Sequence, residues 1–217
     1  MLSIAKLHHL SLARNVRIIQ IFSFFIFLGL LWSLLYQPFQ IIVIAGVMAF
    51  FTILYAVPVF SERRSLRGLP GLKIFVIAFV VTAVTILMPL ALYELSFSRD
   101  VVLELFQRFC LILAVILPFE IRDLRYDMAQ LGTMPQLLGV SATKFLGGIL
   151  LGFALLPEFL KEETEMDYVL SLLIVILIIA GFLKRSSIRQ SQYFASFWVE
   201  AIPVYWLIIL LILQKLF

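Results

Sequence analysis

Seven apolar runs, joined by connections too short to hold a domain of their own, constrain this chain more than any other feature. Read with a window of about twenty residues, the length of helix that crosses a bilayer, they are Ile18 to Tyr36, Phe39 to Phe60, Leu72 to Leu95, Val101 to Phe119, Ser141 to Leu160, Tyr168 to Leu183 and Phe197 to Leu213. In hydrocarbon every backbone amide must be satisfied within its own segment, so such runs are read as helices. The expected fold class is all-α, a polytopic transmembrane helix bundle of seven predicted spans forming one domain over residues 1–217. Composition agrees, with 63% hydrophobic residues and 21 Phe among 217, well above the apolar share of a soluble domain. The first run lacks a small-residue cleavage site and reads as a span, not as a removable signal peptide.

The basic residues follow topology. With the N-terminus placed in the cytoplasm, that side collects Lys6, Arg14, Arg17, Arg63, Arg64, Arg67, Lys73, Arg122, Arg125, Lys144, Lys184, Arg185 and Arg189, thirteen of the seventeen. The positive-inside rule therefore predicts a cytoplasmic N-terminus and, with seven spans, a C-terminus on the opposite side. The net charge of +4 is explained by this bias, and nucleic acid is not expected as a partner. The connection from Glu158 to Asp167 is acidic and is expected outside.

Polar residues near or within the spans are the candidates for function. Glu120, Asp123 and Asp127 are spaced three and four apart, which on one helix places their carboxylates within roughly a 60° arc. Arg122 and Arg125 fall on the other side of that helix, and neither has a carboxylate three or four residues away to pair with. Three acids without a local partner are expected to attract a cation, and oxygen-only ligands point to magnesium or calcium. Glu104 and Arg108, four apart inside the fourth span, are expected to form a structural ion pair. Cys110 is read as a small buried apolar residue, His8 and His9 as surface or interfacial, and Tyr93 and Glu94 as interface residues. Trp32, Tyr193 and Trp198 are read as interfacial anchors, and Gly148 with Gly152 as a small-residue packing pair.

Taken together, Phe119-Glu-Ile-Arg-Asp-Leu-Arg-Tyr-Asp127, followed by Gly132-Thr-Met-Pro135 and Leu138-Gly139, resembles the second aspartate-rich motif of the UbiA superfamily of intramembrane prenyltransferases. Upstream, Leu54-Tyr55-Ala-Val-Pro58, then Arg63, Arg64 and the run from Leu66 to Lys73, is similar to that family's basic connection between its fourth and fifth helices. The resemblance implies a UbiA-like fold in which the seven spans stand for the third through ninth of nine helices. It further implies transfer of an isoprenyl group from a polyprenyl diphosphate to a lipid-soluble acceptor. Glu120, Asp123 and Asp127 would hold magnesium, with Glu at the first position where Asp is more usual. Arg63, Arg64, Arg67 and Lys73 would bind the diphosphate, although basic residues are expected in this connection for topology alone. Tyr55 and Tyr126 lie inside the matching segments and are carried as further site residues; no catalytic residue is assigned.

The family's first aspartate-rich motif has no counterpart, because no Asp or Glu precedes Glu62. Half of the expected metal site is missing. Helices upstream of Met1, a partner or second copy that supplies them, or a degenerate descendant would each account for this. The alternative function is accordingly a non-catalytic membrane protein of the same fold that binds a lipid or a partner, and the weaker alternative is a transporter, for which internal repeats and mid-membrane helix breaks would be expected.

Overall fold

The computed structural model describes residues 2–56, 71–125, 132–162, 164–191 and 193–216, without the side chains of residues 2–15 and 55–56. Its helices are α1 (Leu2–Leu34), α2 (Phe39–Ala56), α3 (Leu72–Leu92), α4 (Arg99–Asp123), α5 (Met134–Leu138), α6 (Val140–Leu155), α7 (Met166–Arg185) and α8 (Ile202–Leu216). A 3₁₀ turn at Leu156–Phe159 extends α6, and a π-helical stretch at Phe194–Val199 leads into α8. The described residues contain no strand.

Six helical segments are long and apolar enough to cross a membrane: Val16–Leu34, Leu72–Leu92, Arg99–Asp123, Val140–Phe159, Met166–Arg185 and Phe194–Leu216. The protein is therefore an integral, multi-pass membrane protein by its helices. The second predicted span is the exception. Its described apolar helix runs only from Phe39 to Leu54, and the predicted continuation to Phe60 lies outside the described residues.

The chain divides into two compact units, Met1–Val43 and Ile44–Phe217. In the first, the apolar surface of Val16–Leu34 is exposed throughout, as expected of a helix bathed in lipid. The second has α4 at its centre, touching α3, α5, α6, α7 and the π-helical stretch. One apolar cluster joins α4, α6, α7 and the start of α8 through Cys110, Leu111, Leu151, Leu172, Val175, Ile179 and Ile202. Another joins α3, α4 and α7 through Ile74, Ala78, Leu113, Leu117, Ile121 and Leu183. Cys110 is buried as a small apolar residue.

Close packing of α6 depends on a glycine other than those expected. A Cβ at Gly148 or Gly152 would meet nothing within 4 Å, whereas one at Gly147 would collide with Leu183 Cδ2 and lie 3.0 Å from Leu117 Cδ1. Gly147, with Leu151 and Ala154 on the same face, is what lets α6 approach α4 and α7. The Gly148–Gly152 expectation is thus corrected by one residue, a shift of about 100° around the helix. Two prolines interrupt spans, Pro89 in α3 and Pro118 in α4. At Pro118 the carbonyl accepts from Gln190 Nε2 at 2.9 Å, one way that neighbouring segments satisfy backbone groups near a proline inside a membrane helix.

Candidate functional site

α4 carries polar side chains at both of its ends, and the bundle treats the two ends differently. At its C-terminal end the helix stops at Asp123 and Leu124–Arg125 turn away. Glu120 and Asp123 therefore lie on the last turn of α4, while Asp127 lies outside the described residues. Arg63, Arg64, Arg67 and Tyr126 also lie outside the described residues, as does the side chain of Tyr55. The structure does bring Lys73, at the start of α3, to Glu120.

For Glu120 and Asp123 the expectation that these acids lack a partner is overturned. Glu120 is buried, 2% exposed, and its Oε1 accepts from Lys73 Nζ at 3.1 Å. Asp123 Oδ1 accepts from the adjacent Arg122 Nε at 2.7 Å. Spacing rules along one helix missed both pairs. The first crosses from α3, and the second arises because the Arg122 side chain folds back over the Phe119 ring, 5.4 Å from its centroid, and reaches Ser196 Oγ at 2.7 Å. Arg125 donates to the Gln190 carbonyl, and Lys144 Nζ to the Lys184 carbonyl at 2.8 Å. Basic residues thus cap carbonyls at this end, where the C-terminal dipoles of α4 and α7 favour positive charge.

Magnesium fits these residues in part. Among the described residues no three His, Cys, Asp or Glu groups gather closely enough to hold a metal. Magnesium, however, commonly takes one or two carboxylates and completes its shell with water and substrate phosphates. Glu120 and Asp123 are such a pair, each already in contact with a cation.

The segment Gly132 to Gly139 packs beside this end. Thr133 N–H donates to Gln136 Oε1 at 3.1 Å, closing the start of α5, and Gly132 (φ 59°) and Gly139 (φ 80°) take left-handed conformations on either side of it. Those glycines have a structural reason that is independent of any chemistry.

At the opposite end of α4 a second polar cluster is densely paired, although Arg108 Nε has no hydrogen-bond partner among the described residues. Glu104 accepts from Arg108 Nη2 at 2.9 Å, as its spacing predicts, and also from Lys161 Nζ at 2.8 Å. Lys161 pairs a second time, with Glu158 Oε2 at 2.8 Å. Gln107 Nε2 donates to that same Glu158 oxygen at 2.9 Å, and Tyr168 Oη lies 3.0 Å from Gln107 Oε1 and 3.1 Å from Glu104 Oε1. The Arg108 guanidinium stacks on Trp206, 4.9 Å from the ring centroid, while Trp206 Nε1 donates to Ser171 Oγ at 3.1 Å. Burial pushes the Lys161 ammonium toward a lower pKa, but its hydrogen bonds to Glu104 and Glu158 outweigh that and hold it above its ordinary value. Two carboxylates and two cations make the cluster neutral, the condition under which buried charge is tolerated.

Sequence reasoning found only the Glu104–Arg108 pair here. Glu158 was expected in a solvated acidic connection, yet it is 3% exposed. The available signals were the Glu158–Lys161 spacing of three and Gln107 beside Arg108, both common enough to pass as surface polarity. A cavity of about 380 Å³ adjoins the cluster, lined in part by Asp100, Glu104, Lys161 and Tyr168. A smaller apolar one of about 150 Å³ lies between α3, α4, α7 and α8, bounded by Thr85, Arg108, Val175, Ile202 and Trp206.

No protein family, curated protein or solved structure matches this chain.

Proposed function

We propose that this is a UbiA-like membrane protein that takes an isoprenyl diphosphate at the Lys73, Glu120 and Asp123 end of α4 and transfers its isoprenyl group to a lipid-soluble acceptor. The observation that carries this reading is the pairing of Lys73 with the buried Glu120 at the end of a membrane span, with Asp123 one turn further along the same helix. A diphosphate needs positive charge, and an ammonium supplies part of it directly. Carboxylates cannot grip an anion, so Glu120 and Asp123 serve by holding magnesium, whose chemistry when bound is to neutralise the leaving diphosphate. Lys73 Nζ, 44% exposed along its side chain, is placed to swing from Glu120 to an incoming phosphate oxygen. Glu120 stays fixed by its burial.

A second reading is favoured by a separate observation: both carboxylates already have a cationic partner. In that reading the protein binds a lipid or a partner without turnover. Pyrophosphate release decides between the two. Detergent-solubilised protein is offered geranyl, farnesyl and longer polyprenyl diphosphates with an acceptor-lipid extract, with and without magnesium, beside Asp123→Ala. Magnesium-dependent release that D123A abolishes is the expected result. Binding without release supports the second reading, and diphosphate affinity that D123A leaves unchanged refutes the assignment of the site.

A further inference from the structure

The same end of the larger unit carries a second recess whose chemistry differs from that of the Glu120 site. It lies between the last turn of α7 and the π-helical stretch before α8, has a volume of about 450 Å³, and is lined by Arg185, Ser187 and Ser191 together with the rings of Phe182, Phe194 and Trp198. We propose that it holds an anionic glycerophospholipid of the surrounding bilayer, with the headgroup phosphate on Arg185 and the serine hydroxyls and the acyl chains along the aromatic wall.

Charge argues for an anion. Arg185 is exposed and makes no hydrogen bond or ion pair among the described residues. Lys184 and Arg189 flank it, and no Asp or Glu occurs between Asp167 and Glu200. The nearby Asp123 carboxylate is held by Arg122, which also anchors Ser196 of the π-helical stretch. Among the described residues, nothing acidic on the packed elements pairs with Arg185.

The wall of the recess is preformed. Gln190 is 8% exposed. It donates through Nε2 to the Pro118 carbonyl, accepts at Oε1 from Ser187 N–H at 3.0 Å, and accepts at its own carbonyl from Arg125. Phe182 and Phe194 meet edge-on with centroids 5.7 Å apart, and Phe197 with Trp198 at 5.2 Å. An amphiphile is favoured over a soluble phosphate because one recess at the end of two spans is lined both by a basic and hydroxyl set and by aromatic rings, where a headgroup and its chains would sit. The expected orientation puts this end in the cytoplasmic leaflet, where anionic lipids draw basic residues and recesses between spans bind their headgroups. The absence of carboxylates among the lining residues sets this site apart from a magnesium-bridged diphosphate.

Native mass spectrometry of the full chain with equimolar phosphatidylglycerol and phosphatidylcholine of the same acyl chains, in EDTA throughout, tests this. EDTA keeps the outcome separate from that of the magnesium-dependent site. The expected result is preferential retention of phosphatidylglycerol, with the preference lowered about fivefold by Arg185→Gln, kept by Arg185→Lys, and unchanged by Lys215→Gln at the far terminus. A hundredfold excess of glycerol 1-phosphate is expected to leave the bound lipid in place. Equal retention of the two lipids, an equal loss of preference in K215Q, or displacement by glycerol 1-phosphate would each overturn the proposal.

Discussion

At one end of α4, Glu104 and Glu158 share Lys161, with Arg108, Gln107 and Tyr168 completing a set drawn from α4, the connection after α6, and α7. At the other, Glu120 and Asp123 each keep a single cation among the described residues, and the partner of Glu120 is a lysine with nearly half of its side chain exposed. The same residue types thus form a multiply bonded cluster in one place and separate pairs in the other, of which the Lys73–Glu120 pair has the more exposed cation. A carboxylate whose partners are themselves buried and multiply bonded holds helices together, because releasing any one partner strands another charge in low dielectric. A carboxylate paired with a half-exposed lysine has a partner that water can reach, so a ligand bringing its own cation can take that lysine's place. The contrast directs the search for chemistry to Glu120 and that for stability to Lys161.

The largest expected effect comes from breaking the multiply bonded cluster. Lys161→Met removes the ammonium shared by Glu104 and Glu158 and is expected to destabilise by about 3–5 kcal/mol, seen as a lower midpoint in detergent-phase thermal or denaturant unfolding. A loss under about 1 kcal/mol would erase the distinction between the two ends. Next comes the helix approach that holds the ends apart. Gly147→Val places a side chain on Leu183 and Leu117 and is expected to destabilise by about 1–3 kcal/mol, while Gly148→Ala and Gly152→Ala stay within about 0.5 kcal/mol of the parent. Equal effects at all three glycines would return the packing role to the Gly148–Gly152 pair.

Lys73→Met is smaller in stability and larger in binding. It leaves the buried Glu120 without its ammonium, for a loss of about 2–3 kcal/mol, below that of Lys161→Met because water reaches the half-exposed Lys73 position, but it is expected to weaken diphosphate binding at least tenfold, about the effect of one charge-assisted contact. Titration calorimetry separates the two. The smallest effect is a pH dependence. Because the pKa of Lys161 is raised on folding from an ordinary value of 10.5, its contribution is fully present below about pH 10.5 and fades as pH rises through the folded value. Unfolding midpoints of the parent are therefore expected to fall more steeply above pH 10.5 than those of K161M.

Period and length made the helices legible. Predicted starts and ends of α3, α7 and the final span fall within a few residues of those observed, because hydrocarbon thickness sets helix length and leaves few alternatives. Glu104–Arg108 was equally legible, being a contact within one helix. Lys73–Glu120 was not, since its partners are 47 residues apart, and neither was Lys161, whose two carboxylates lie three and 57 residues away in the chain.

By itself, then, the amino-acid sequence determined that this is a multi-pass helical membrane protein, and it marked α4 as the span that carries charge at both ends. Hydropathy and i, i+4 spacing are local properties, so local reading suffices for them. Which charges are locked, which glycine admits a neighbouring helix, and where Arg185 meets an aromatic wall were decided only by tertiary structure. Each depends on the rotation of one helix against another, and a turn of 100° per residue moves a side chain from partner to lipid without changing the apolar pattern that a sequence displays.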